Sequence, residues 1–126
     1  MERRLIAGHS PFETVSGFSR AVVAGGEVHV AGTAPIPLEG EPPAAAYEQA
    51  RLCLEIVGDA LERAGAGFAD VVRTRMYLVD ADDWEDVARA HGEVFAEIRP
   101  ASTAVVVAAL LDERWRVEIE AEAVLP

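Results

Sequence analysis

Four stretches of the chain carry a readable period of apolar and polar residues. From Ala44 to Ala64 the apolar side chains recur at helical spacing. Ala46, Ala50, Cys53, Leu54, Val57, Ala60, Leu61 and Ala64 share one broad face, and Glu48, Arg51, Glu55 and Glu62 share the opposite one. Gly65 is placed to close that helix. The next stretch, DVVRTRMYLVD, alternates: Val72, Thr74, Met76 and Leu78 point one way, and Arg73, Arg75, Tyr77 and Val79 the other, which predicts a strand. A second helical stripe runs through Trp84, Val87, Ala88, His91, Val94, Phe95 and Ile98. Asp82 is its predicted N-cap, Glu85 the capping-box partner, and Pro100 bars its continuation. The last stretch alternates again, with Glu118, Glu120 and Glu122 against Val117, Ile119, Ala121 and Ala123.

Three more strands complete the pattern. AVVAGGEVHVAG reads as a β-hairpin turning on Gly25 and Gly26, and TAPIPLEGEPP, with its four prolines, is a loop. STAVVVAAL is a strand, joined to the last one by a turn at LDER. The predicted order is β-β-α-β-α-β-β, an α+β domain spanning residues 1–126 with two helices on one face of a mixed sheet. The opposite face carries Arg73, Arg75, Tyr77, Glu118 and Glu120 among apolar positions, a composition that predicts burial against another copy of the chain.

Composition narrows the chemistry. The net charge is −11 and all 11 basic residues are arginine, so lysine Schiff-base and P-loop chemistry are excluded and nucleic acid is a poor partner. Cys53, the single cysteine, permits no intrachain disulfide, and inside a helical pattern it reads as a buried thiol. His9, His29 and His91 show no metal-ligand spacing, and nothing in the sequence asks for a metal or another cofactor. No apolar run approaches the ~20 residues of a membrane span, and MERRLIAGHSPF has no signal-like core. A cytoplasmic protein without a membrane partner is the expectation.

The stretches GFSRAVVAGGEVHVAG, AGAGFADVVRTRMYLVDADDWEDV, FAEIRPAS and VEIEAEAV, in that order and spacing, resemble the RidA/YjgF family, also called L-PSP ribonucleases. The resemblance covers nearly the whole chain. It implies a chorismate-mutase-like fold, a homotrimer, and clefts between subunits that take a small metabolite. It also implies hydrolysis of reactive imines and enamines to keto compounds and ammonia. In that chemistry an arginine following the Pro-Ala pair grips a substrate carboxylate and a glutamate on the last strand positions water. Here Ser102 stands in the arginine's place, Phe18 in that of a cleft tyrosine, Ala88 in that of an asparagine and Ala104 in that of a cysteine. Gly32, followed by Thr33, fits the cleft glycine, and Glu118 fits the glutamate. The chain therefore resembles a branch lacking the carboxylate-binding arginine.

The candidate site residues each carry two readings. Arg75 either replaces the lost clamp or forms an ion pair with Glu118 or Glu120. Glu118 handles water if burial raises its pKa, or is neutralised by an arginine. His91 is the one side chain near Ala88 that titrates near neutrality, or a hydrogen-bonded core residue. Phe18 and Tyr77 line a ligand wall or simply pack. Ser102 and Thr103 show no histidine–acid relay in sequence, which argues against a nucleophilic serine. Three functions follow: an imine or enamine hydrolase, a ligand-binding or regulatory module using the same cleft, and, poorly matched by the charge, an endoribonuclease.

Overall fold

The computed structural model describes residues 2–126. The elements are β1 (Arg3–Ile6), α1 (Phe12–Ser16), β2 (Ala21–Ala24), β3 (Glu27–Thr33), α2 (Ala46–Arg63), β4 (Val71–Leu78), α3 (Trp84–Phe95), β5 (Ala101–Val106) and β6 (Val117–Val124). The six strands form one sheet in the order β1-β2-β3-β6-β4-β5. Only β4 and β5 are parallel, joined through α3, so the sheet is mixed. The α+β architecture with two helices on one face is as the sequence predicts; β1 and the short α1 are additions to it.

α2 forms because its apolar residues return every three or four positions, and all eight residues of the predicted apolar face are buried. Its end is closed by Gly65 at φ 92°. Gly65 N donates to Glu62 O and Ala66 N to Leu61 O, the paired bonds of a Schellman turn. Each large apolar side chain buried here, such as Leu54 or Leu61, contributes about 1.5–3 kcal/mol. Gln49, buried in the same helix, donates to Pro43 O and Arg114 O and accepts from Arg116 N, which pins the loop before β6.

β6 runs down the middle with Val117, Ile119, Ala121 and Ala123 buried under the helices and Glu118, Glu120 and Glu122 on the uncovered face. Two bulges adjust the alternation. One, between Val71 and Arg73, puts Val71 into the core and leaves Val72 exposed, contrary to the simple period. The other lies between Val30 and Thr33, and its extra residue turns Thr33 inward opposite Ile119. The predicted capping box of Asp82 and Glu85 does not form. Asp80 instead accepts from Asp82 N, and the buried Asp83 receives two hydrogen bonds from Arg116 at 3.0 and 3.1 Å. Trp84, placed on the buried stripe by the period, is 45% exposed: it sits at the first turn of α3 and lines an open pocket with Leu78 and the exposed Val105 and Val106 of the edge strand.

Candidate functional site

The uncovered sheet face gathers one group of candidates around Glu118. The Val30–Thr33 bulge brings Gly32 against it, so closely that a Cβ on Gly32 would lie 3.0 Å from Glu118 Oε2. The absent side chain is what leaves room for the carboxyl. Behind Gly32 lies Arg20, 4% exposed, donating to Gly32 O at 2.7 Å. Its guanidinium lies 3.9 Å from Glu13 and 5.5 Å from the Phe18 ring centroid. Glu13 is itself held by Gly8 N and Ser10 N. Burial acts against the charge of Arg20, and Glu13 and Glu118 act for it. Burial also raises the pKa of Glu118 above the usual carboxylate value; Arg20 opposes the shift and Glu120 adds to it.

The neighbouring carboxylates are committed elsewhere. Arg75 donates to Glu122 at 3.3 Å and lies 4.0 Å from Glu120, while the Tyr77 hydroxyl donates to Glu120. Arg75 is thus an ion-pair partner of Glu122 and Glu120 rather than of Glu118. Beside this row a groove of about 560 Å³ runs over β2 and β3, lined by Phe18, Val22, His29, Ala31, Glu120 and Glu122. Thr33 does not line it. The bulge buries that side chain completely, and its hydroxyl donates to Ala31 O at 2.8 Å.

A second group lies on the helix-covered side, at the β5 edge. Ser102 pairs in register with Thr74 and shares its direction. Thr74 Oγ1, fully buried, is 2.8 Å from Ser102 Oγ and 2.8 Å from His91 Nε2. The His91 ring packs on Phe95 at 4.6 Å between centroids, and burial holds its pKa below the usual imidazole value. Ala88 lies one turn earlier on α3 and is half-buried. His91 and Glu118 are therefore on opposite sides of the sheet, and one chain does not bring Ser102, His91 and Ala88 to Glu118, Gly32 and Phe18.

Two participants escape the sequence reading. Arg20 precedes a hairpin strand, where an arginine is ordinarily solvated. Its signal was the Ser10–Glu13 spacing of a capping box, which places a buried carboxylate nearby. Thr74 is a small polar residue on the strand's inward face, among Met76 and Leu78, where a lone hydroxyl needs a partner.

Similarity to known proteins agrees with this fold. The family model for endoribonuclease L-PSP matches residues 8–125. The crystal structure of Rv2704 from Mycobacterium tuberculosis, a member of the YjgF/YER057c/UK114 family, superimposes with a TM-score of 0.91 at 40% identity, covering 98% of this chain and 100% of that one. The 2-iminobutanoate/2-iminopropanoate deaminase of Capra hircus is 32% identical over 97% of this chain and 90% of its own length. Escherichia coli TdcF, solved with bound serine, is 29% identical with a TM-score of 0.82, covering 98% of this chain and 94% of that one. The chain belongs to the endoribonuclease L-PSP family, to which the name YjgF also applies.

Proposed function

We propose that the protein binds a small imine, enamine or related metabolite between copies of itself and hydrolyses it to a carbonyl compound and ammonia. One observation carries this reading: Glu118 is half-buried beside side-chain-free Gly32, its protonation is favoured by burial, and the local arginine Arg75 is engaged by Glu120 and Glu122 instead. A carboxylate in that position accepts a proton from water as the oxygen attacks the imine carbon. That proton passes to the imine nitrogen, giving a carbinolamine. The hydroxyl proton then also moves to nitrogen, the C–N bond breaks with its electron pair going to nitrogen, and ammonia leaves as the carbonyl forms. The deaminase relative supports this class of reaction.

The two groups of residues lie on opposite sides of the sheet, so a ligand meeting both requires two copies. The site belongs to a homotrimer on this reading, with Glu118, Gly32 and Phe18 from one copy and Ser102, Ala88 and His91 from its neighbour. No helix among the described residues is long and apolar enough to cross a membrane, and the −11 charge disfavours RNA.

Ser102 in the place of a carboxylate-gripping arginine sets the substrate range. Losing a charged contact costs about 2–5 kcal/mol, so imines bearing a free carboxylate are poor substrates. Purified protein is mixed with freshly generated 2-aminoacrylate, 2-iminobutanoate and carboxylate-free imines, and ammonia release is timed. Acceleration that Glu118→Gln abolishes and Ser102→Arg enhances for the carboxylate-bearing imines supports the reading. Decay rates unaltered by protein across the whole set refute it. Saturable thermal stabilisation by a metabolite without product would identify a binding module instead, a reading that the loss of the clamp favours.

A further inference from the structure

The contacts of Thr74 reach beyond the roles given above. This side chain touches no solvent and occupies the seam between β4 and α3. Its single hydroxyl meets two partners at 2.8 Å, His91 Nε2 on one side and Ser102 Oγ on the other. A hydroxyl carries one proton, so it donates to only one of them at a time. When Nε2 is unprotonated, Thr74 donates to the ring and Ser102 donates to Thr74. Ser102 then presents lone pairs outward. When Nε2 carries a proton, the ring donates to Thr74, Thr74 donates to Ser102, and the Ser102 proton turns outward. Hydrogen bonds in such a row polarise one another, so its two directions are alternatives rather than a blend.

We propose that Thr74 is a positioning residue that joins His91 to Ser102 in one row, so that a proton on His91 Nε2 decides whether Ser102 offers a proton or a lone pair at the β5 edge. Ser102 is exposed on that edge, whereas His91 is half-buried and is tied to Ser102 through Thr74. In the first direction Ser102 suits N–H donors such as an imine or ammonium nitrogen. In the second it suits acceptors such as a carboxylate, which is the group left without an arginine in the function proposed above, and the inference deepens that reading. The ring is met by Thr74 from β4 and Phe95 from α3, and no charged side chain from α2, β4 or β5 contributes to its titration. The row's direction therefore follows solvent pH and the ligand.

The test reads His91 itself by ¹⁵N NMR titration in the assembled protein. Ser102→Ala, a change on an exposed strand that does not touch the ring, is expected to shift the Nε2 resonance and the His91 midpoint. Thr74→Val shifts both further, and Thr74→Ser restores the wild-type values. In turnover, KM for a carboxylate-bearing imine falls as pH is lowered through the His91 titration in wild type and Thr74→Ser, and is flat in Thr74→Val, while kcat changes less. A His91 signal indifferent to Ser102→Ala in folded protein overturns the row, as does the same KM slope in Thr74→Val. Because the NMR readout needs no turnover, absence of ammonia release with the NMR coupling intact would sink the hydrolase and leave the row standing.

Discussion

Arg20 provides the sharpest energetic test, because its guanidinium is nearly sealed and holds three things at once. It donates to Gly32 O at 2.7 Å, faces Glu13 at 3.9 Å, and lies over Phe18. In Arg20→Met the packing volume is largely kept and the charge removed. Breaking a buried pair from one side costs about 3–5 kcal/mol. Two facts place this case at the low end. Glu13 keeps the N–H groups of Gly8 and Ser10, and Arg20 Nε has no hydrogen-bond partner among the described residues, so part of its burial cost is returned. A destabilisation of about 3 kcal/mol corresponds to a urea midpoint lower by about 1.5 M, with the slope unchanged.

The measurement is made at one protein concentration, since assembly contributes to apparent stability. A second readout separates the site from the scaffold. Arg20 is the attraction that restrains the upward pKa shift of Glu118. Its removal moves the Glu118 carboxyl titration, followed by ¹³C NMR, further up. An unchanged urea midpoint, or a Glu118 titration that stays in place or moves down, would refute the assignment of Arg20 as the support of the Gly32–Glu118 pair.

Two further outcomes follow from the same structure. In Gly58→Ala the new Cβ meets Phe68 Cζ at 2.7 Å. Overpacking of about 1–3 kcal/mol outweighs the helix gain of about 1 kcal/mol, so thermal unfolding shows net destabilisation, and the sign reverses when Phe68→Leu is added. Glu118 has a folded pKa raised by burial, so its contribution to stability is fully present below the unfolded carboxylate pKa and is lost as pH rises through the folded value. Glu118→Gln is therefore more stable than wild type at neutral pH, an advantage that disappears in urea titrations at acid pH.

The fold was legible where a period runs long enough to exclude alternatives. Eight positions at helical spacing, seven in α2 and Ala64 at its cap, and four inward positions in β6 leave no other assignment, and both elements fold as predicted. β1 was not legible: its four residues include Leu5, which is 60% exposed, so no alternation develops. α1, at five residues, is shorter than a helical period can reveal. The bulges were invisible for a different reason. A strand that inserts one residue keeps its composition and changes only its parity, which reverses Val72 and Thr33 without any sequence mark. Arg20 and Thr74 depend on contacts across 12 to 28 residues of sequence, information that no local pattern contains.

Parity also bears on where a ligand can sit. Along β4 the inward series Thr74, Met76, Leu78 and the outward series Arg75, Tyr77 are fixed by pairing on both sides, with β6 and with β5. Ser102 inherits the inward direction from Thr74, and Glu118 the outward one from Tyr77. Moving Glu118 across requires a one-residue slip of β6, which would expose Val117 and Ile119 and bury Glu118 and Glu120 under the helices, an exchange the core cannot accept. A slip of β5 would part Ser102 from Thr74. The separation of the two groups is therefore as secure as the sheet register itself. β5 is exposed along its whole length, and an unpaired edge of that kind calls for cover. In the proposed assembly a second copy at this edge would supply that cover and carry its own Glu118 face toward Ser102, answering both the exposed strand and the divided site with one contact.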